Sequence, residues 1–403
     1  MALKVCLTLL VVLFMKLQHL RAEGNRSLTW FEDLELEEQL KILNKQFVKS
    51  VQVEAGHVFD CIEINKQPAL DHPLLKDHKI QMKPTILPDP NGVLDKASSD
   101  TGSRTTLKSI NCPKGTVPIR RTRKEDLIRA KALVEERFTD ISADIPRPGQ
   151  HLAIVRSKLD NGEFEQFHGT EALMNVIRPG VTEDGQSSSS LIWVERGTIA
   201  VGDVDQVIAG WTVDPVLYGD DKTHFVTFWK TIAGGRKTGG CFNLLCPGFV
   251  QVDHDYPVDQ VPFSDVSVYD GPQIERKFSI YQDHNNNWWV ELDSIKIGYW
   301  PNEIFPRLYV GADHVGWGGL TRVSKDGILS PPMGFGNLPD GFYRRSGYFQ
   351  HIKVFNALHE PVQPYGKIDT FVDTRSCYQI KNEGFTRDRG YVFTYGGPGG
   401  QCG

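Results

Sequence analysis

His224-Phe225-Val226-Thr227-Phe228-Trp229 is a short run of aromatic and β-branched residues, with Gly219-Asp220-Asp221 before it and Gly234-Gly235 after it. Six residues of this kind between turn formers fit a strand and fall short of an ordinary helix. The same texture recurs from His151 onward, in Leu152–Val155, Leu191–Val194, Phe249–Val252, Trp288–Leu292, Gly298–Trp300 and Tyr391–Tyr395, separated by Gly, Asp, Asn and Pro. Short runs at this spacing predict an all-β sandwich or barrel. The chain carries no heptads, no fixed-period repeat and, past its first residues, no apolar span that approaches membrane length.

Upstream of His151 the texture differs. Ile145-Pro146-Arg147-Pro148-Gly149 breaks the chain and marks a candidate boundary. Leu36, Leu40, Leu43, Phe47 and Val51 recur at three- and four-residue intervals, which predicts an amphipathic helix over 28–51 docked on a neighbouring surface. Its early part is acidic, which disfavours an anionic membrane. The prolines between Asp71 and Pro118 exclude long helices and predict extended, turn-rich chain. Arg120-Arg121-Thr122-Arg123-Lys124 then leads into a short helical pattern around Leu127, Ala130, Leu133 and Val134. This basic run is expected to be a solvated helix start, with a processing site for a basic-specific protease as the alternative.

Residues 1–22 have the layout of a cleaved secretory signal: Lys4, an apolar stretch from Val5 to Met15, then polar residues. The expected location is therefore the secretory pathway or the extracellular space, including the cell wall. Seven cysteines become six once Cys6 leaves, an even count that argues for three disulfides in an oxidising compartment. Cys241 and Cys246 would close a very small loop and Cys377 with Cys402 would tie the C-terminal tail, which leaves Cys61 for Cys112. Asn25-Arg26-Ser27 is a glycosylation acceptor at Asn25.

A net charge of -5 with 24% charged residues gives no basic excess for nucleic acid and no acidic tail. Several chemical signatures fail. Gly396-Gly397-Pro398-Gly399-Gly400 lacks the following Lys-Ser/Thr of a phosphate loop and is expected to be a flexible turn. Asp253-His254-Asp255 is expected to be a polar loop and not a metal site. The serine run 187–190 lacks the nucleophile-elbow setting and is expected to be a loop entering a strand. No cofactor, metal, nucleic acid or membrane span is expected, and oligomeric state is not legible.

Six longer strings are distinctive: Cys61-Ile-Glu-Ile-Asn-Lys-Gln-Pro-Ala-Leu-Asp-His-Pro-Leu-Leu-Lys76, Cys112-Pro-Lys-Gly-Thr-Val-Pro-Ile-Arg-Arg121, Ala209-Gly-Trp-Thr-Val-Asp-Pro-Val-Leu-Tyr-Gly-Asp220, Gly240-Cys-Phe-Asn-Leu-Leu-Cys-Pro-Gly-Phe-Val-Gln251, Asn287-Trp-Trp-Val290 with Ile297-Gly-Tyr-Trp-Pro301, and Tyr395-Gly-Gly-Pro-Gly399. Together and in this order they resemble the neprosin family, plant secreted glutamic peptidases associated with cleavage after proline. The resemblance implies an activation peptide over 23–145, removed at acidic pH, and a catalytic domain over 146–403 built as an antiparallel two-sheet β-sandwich. It also implies the three cysteine pairs already named.

In that family one glutamate is the second residue of Ile-Glu-Ala-Gly-Trp and the other follows Trp-Gly-Gly. Peptide hydrolysis by water needs both: one carboxylate accepts the water's proton while the other, kept protonated, polarises the carbonyl or protonates the leaving nitrogen. The matching strings here are Val207-Ile208-Ala209-Gly210-Trp211 and Trp317-Gly318-Gly319-Leu320. Neither Ile208 nor Leu320 can transfer a proton. A glutamine that the family often places before Ile-Trp is also absent, because Leu191 precedes Ile192-Trp193. Each lost acid–base group is worth about 100- to 10,000-fold in rate.

The expectation is thus a catalytically impaired relative that binds a peptide or protein, with proline-containing ligands favoured and Leu191, Trp211 and Trp317 lining the substrate cleft. Two alternatives stand beside it. The first is an active acid endopeptidase using a substitute carboxylate, Glu195 at the cleft rim or Glu291 beside Trp288-Trp289; the second is a carbohydrate-binding β-sandwich.

Overall fold

The computed structural model describes residues 30–53, 56–85, 107–137, 147–158, 165–198, 201–259 and 262–402. The expected signal peptide at 1–22, the Asn25 acceptor and the expected boundary at residue 145 lie outside them. The N-terminal part contains α1 (Trp30–Leu43), β1 (Lys49–Gln52), β2 (Val58–Glu63), β3 (Thr116–Arg120) and α2 (Lys124–Arg137). Next come β4 (Gln150–Lys158), β5 (Gly169–Asn175), β6 (Ser187–Thr198), β7 (Asp203–Val213), α3 (Pro215–Tyr218), β8 (Thr223–Ala233) and β9 (Arg236–Gly239). The rest is β10 (Val250–Gln251), β11 (Glu275–Gln282), β12 (Trp288–Leu292), β13 (Ile295–Trp300), β14 (His314–Arg322), β15 (Gly347–Phe355), β16 (Pro361–Val362), β17 (Lys367–Val372), β18 (Gln379–Thr386) and β19 (Gly390–Gly396).

Two antiparallel sheets form the body. One has 7 strands in the order β17-β4-β14-β6-β7-β8-β9, and the other has 9, in the order β10-β13-β12-β11-β5-β15-β19-β18 with β16 beside β15. They pack face to face as a β-sandwich, as the strand runs predict. Indole hydrogen bonds cross the core: Trp211 Nε1 donates to Asn175 O at 2.9 Å and Trp317 Nε1 to Thr170 Oγ1 at 2.7 Å, both on β5. Each places an aromatic body in the dry interior and gives its one polar atom a partner.

All three expected disulfides are present, Cys61–Cys112, Cys241–Cys246 and Cys377–Cys402. The first joins β2 of the small β1-β2-β3 sheet to the segment just before β3. The last anchors the tail, whose glycines are tied down rather than flexible: Met333 N donates to Gly397 O and Ser330 N to Gly400 O. A Cβ at Gly397 would lie 1.9 Å from Cys377 O, so only glycine fits there.

Three local expectations change. The helix expected over 28–51 ends at Leu43, because Asn44 exchanges side-chain hydrogen bonds with Thr122 N and O and because 49–52 pair with β2 instead. Val51 therefore sits in a strand, and Phe47 lies under the Arg121 guanidinium. The serine run is not a loop but the opening of β6, fully buried, with Ser189 Oγ 2.7 Å from Thr212 Oγ1. Serine's weak strand preference hid it; the cross-strand partners supply what propensity lacks. Finally, Arg120 is not solvated. It is 7% exposed, with Nε 2.5 Å from Asp259 Oδ2 and a second carboxylate, Asp126, at 3.6 Å.

That buried pair belongs to a wide contact between the N-terminal part and the sandwich. Gln67 and Gln251 exchange two hydrogen bonds at the β10 edge. Gln81 and Thr85 bind Asp283, and Ile110 N and Cys112 N donate to Asp255 O and His254 O. Leu36, Leu43, Ile62, Leu75 and Leu127 join the main hydrophobic core.

Candidate functional site

Side chains alternate along a strand, so the residues at even spacing from Leu191 share its face. Trp211 and Trp317 reach β5 from the opposite face, which identifies Leu191's side as the outer face of the seven-stranded sheet. Cross-strand register then builds the site. Ser189 stands between Thr212 on β7 and Leu320 on β14; Leu191 between Gly210 and Gly318; Trp193 between Ile208 and Gly316; Glu195 between Gln206 and His314.

Ile208 and Leu320 are thus on one face, each a diagonal neighbour of Leu191 and on opposite sides of it. Diagonal neighbours lie about 7–8 Å apart, so Leu191 occupies the middle of the row. All three are buried. The rungs beside Leu191 carry no side chains. A Cβ at Gly210 would lie 2.1 Å from Ser190 O, and one at Gly318 would lie 2.4 Å from Ala153 O. Leu191 therefore stands alone across three strands. One rung further, the Trp193 indole covers Gly316, where a Cβ would come within 2.1 Å of the ring.

A cavity of about 20 Å³ adjoins Leu191 and Leu320, walled also by Ser189, Thr212, Val226 and Phe242. It has room for about one water. A much larger space, about 600 Å³, separates α1 and α2 from β8 and β9 and is lined by Ile42, Leu43, Leu127, Phe228, Ile232 and Leu245. The two helices of the N-terminal part thus lie over the outer face beside the row that holds Ile208.

The structure corrects two expected site roles. Trp211 and Trp317 do not line this face; both are fully buried between the sheets. Glu195 shares the face with Leu191, as the four-residue spacing predicts, but it is 0% exposed, far from a solvated rim, and accepts a hydrogen bond from Gln206 Nε2. It is also four residues from Leu191, about 13 Å along the strand, with the Trp193 rung between them. Glu291 lies on β12 of the other sheet, bound to the Tyr281 hydroxyl at 2.5 Å and near Lys296. Sequence reasoning passed over Gly210, Gly318 and Trp193, although the alternation that pairs 191 with 193 was available.

A further buried carboxylate, Asp205, points into the interior from β7. Burial raises its pKa to about 6, against the opposing effect of hydrogen bonds from Arg307 N and Leu308 N.

Comparison with known proteins adds the following. The Neprosin family model matches residues 184–398, and the Neprosin activation peptide model matches residues 50–157. The second match runs into β4, which pairs with β14 and β17 and is part of the sandwich. Among solved structures, scytalido-glutamic peptidase with a peptide-based transition-state analogue is 9% identical, with 62% of this chain and 98% of that chain covered and a TM-score of 0.31. SCP-B, a member of the eqolisin family of peptidases in complex with the tripeptide Ala-Ile-His, is 9% identical at the same coverage with a TM-score of 0.30. A Bacteroides ovatus GH16 protein in complex with a G4G4G3G product is 9% identical, with 42% of this chain and 67% of that chain covered and a TM-score of 0.27. Likenesses this weak bear on nothing beyond themselves.

Proposed function

The chain belongs to the neprosin family, and from that premise we propose that it is a secreted, catalytically silent member whose outer sheet face binds extended peptides without cutting them. The observation that carries this reading is the row Ile208–Leu191–Leu320. Two positions where the resemblance calls for proton-transferring carboxylates, and the one between them where it calls for an amide, are aliphatic on a single buried face.

The replacements are physically consistent with one another. Losing one member of a buried carboxylate pair strands the other, whereas exchanging both for apolar groups is close to neutral. The rungs at Gly210 and Gly318 carry no side chains. Leu191 and Trp193 are buried, with room for about one water beside Leu191, so in this reading a peptide binds only once the chain that covers this face moves aside. Proline then offers an apolar ring to Leu191 and the Trp193 indole. Residues 23–145 act in this reading as the family's pro-region and 146–403 as its peptidase-like domain.

The active-endopeptidase alternative has less support. Glu195 is buried against Gln206, and Glu291 belongs to the other sheet. The test is equilibrium binding of a fluorescent proline-containing peptide, with unlabelled glycans as a second arm. The expected outcome is saturable peptide binding that Leu191→Arg abolishes while the fold persists by circular dichroism. Glycan binding without peptide binding would overturn the proposal.

A further inference from the structure

The space of about 600 Å³ beneath α1 and α2 is large enough for an organic ligand, since small-molecule sites span roughly 300–1,000 Å³. It adjoins the Ile208 row without including it. Its walls come from the two N-terminal helices, from β8 and β9, and from the short loop closed by Cys241–Cys246. That loop is held against β8: the Phe242 ring packs on Phe228 with centroids 4.9 Å apart, and Asn243 N donates to Thr227 O at 2.9 Å. The wall is therefore preformed, as ligand cavities usually are.

The lining divides into two kinds of surface. Leu43, Leu127, Phe228, Cys241 and Leu245 are buried and give an apolar floor. Lys131, Arg147 and Lys237 are exposed and come from three different parts of the fold: α2, the segment before β4, and β9. The open side thus carries positive charge, and Lys230 adds a buried ammonium. Among the described residues no carboxylate lines the space. Lys131 does meet Glu35 of α1 at 3.8 Å, but both side chains are half exposed, and water screens such a pair to little.

An apolar floor under a cationic opening selects a ligand divided in the same way, with an apolar body and an anionic head. A small polar anion gains nothing from the floor, and a neutral hydrocarbon gains nothing from the cations. We propose that this cavity binds a long-chain fatty carboxylate, its tail against Leu127, Phe228 and Leu245 and its head among Lys131, Arg147 and Lys237. The methylene stems of the two lysines continue the apolar wall up to the head group. The guanidinium of Arg147 suits a carboxylate because it offers parallel N–H donors. A tail in this place touches the helices on one side and β8 on the other. The ligand therefore binds the assembled chain alone and, by linkage, holds the N-terminal part on the sandwich.

The test is isothermal titration of the purified full chain at neutral pH with octanoate, decanoate and dodecanoate, each below its micelle concentration. One site per chain is expected, with binding tighter by about fourfold for each added methylene. Dodecanol, the same chain without the charge, should bind about 10-fold more weakly than dodecanoate. Lys237→Glu, on the exposed strand β9, should weaken dodecanoate by about 10-fold and leave dodecanol unchanged, a contrast that loss of fold would not produce. Ile42→Trp, at an exposed position beside the opening, should weaken both ligands. Dodecanoate should also slow limited proteolysis of the N-terminal part in the wild type. No uptake at millimolar concentration, the result expected if residues 138–146 between α2 and Arg147 take the same place, would overturn the proposal. So would affinity that ignores chain length, equal binding of dodecanol and dodecanoate, or unchanged binding in both variants.

Discussion

Ile208 stands opposite Trp193 in the β6–β7 register, one rung along from Leu191, while Leu320 stands one rung from Leu191 on the other side. Carboxylates at 208 and 320 would consequently face each other across residue 191 rather than side by side. This geometry assigns residue 191 a part in any restored site. It is the natural place for an amide that steadies the developing oxyanion between acid and base.

Two changes should therefore restore slow cleavage and a third should speed it. Ile208→Glu with Leu320→Glu and Leu191→Gln is expected to gain acid-dependent cleavage of a proline-containing peptide. The double variant that keeps Leu191 should be slower by about 100-fold, the usual cost of one missing oxyanion donor. Mass spectrometry of the products reads both. Equal rates with and without Leu191→Gln would show that residue 191 has no such part.

Arg120 and Asp259 form the buried ion pair between the N-terminal part and the sandwich, and Asn243 Nδ2 and Asp126 complete its surroundings. Removing Asp259 leaves the buried Arg120 guanidinium with the more distant Asp126 carboxylate at 3.6 Å, so the cost lies at or below the lower end of the about 3–5 kcal/mol of a stranded buried charge. Asp259→Ala should lower the unfolding free energy by about 3 kcal/mol or less, seen as a lower urea midpoint, and make the N-terminal part more open to limited proteolysis. Replacing both, as Arg120→Met with Asp259→Leu, should recover most of the loss, and urea titration of the three variants measures it.

Trp211 and Trp317 are structural in this account. Trp211→Phe and Trp317→Phe each remove an indole N–H that satisfies an acceptor on β5 and should cost about 1–3 kcal/mol of stability. Peptide affinity, measured by fluorescence polarisation, should stay unchanged. A large loss of affinity at full stability would place these residues in the binding face after all.

Asp205 gives a pH signature with a definite sign. Its folded pKa of about 6 lies above the ordinary 3.8, so between these values the folded chain holds more protons than the unfolded one. Stability from this group is greatest below 3.8 and falls as pH rises through about 6. His168 acts in the opposite sense, because its pKa is lowered from 6.5 to about 4, so the wild-type curve alone mixes the two. Relative to wild type, Asp205→Asn should gain thermal stability progressively across the Asp205 window, read as a difference in melting temperature.

Much of the fold was legible because strands announce themselves by short apolar runs between turn formers, and every run named from the sequence lies in or beside a strand. The three disulfides followed from cysteine count and spacing. The misplaced tryptophans are instructive, since the correction was available in the numbering: 208 and 211 differ by three, as do 317 and 320, so each pair must straddle the sheet. Other features needed the tertiary structure. The buried serines of β6 take their strand from partners on β7, and Arg120 finds its carboxylate 139 residues away.

The central claim is that Ile208, Leu191 and Leu320 leave no working peptidase site. The most direct measurement is incubation of the purified chain at acidic pH with a proline-containing peptide, with mass spectrometry of the products beside a Glu195→Gln variant. No cleavage by either protein is the predicted result. Cleavage by the wild type that disappears in Glu195→Gln would contradict the account.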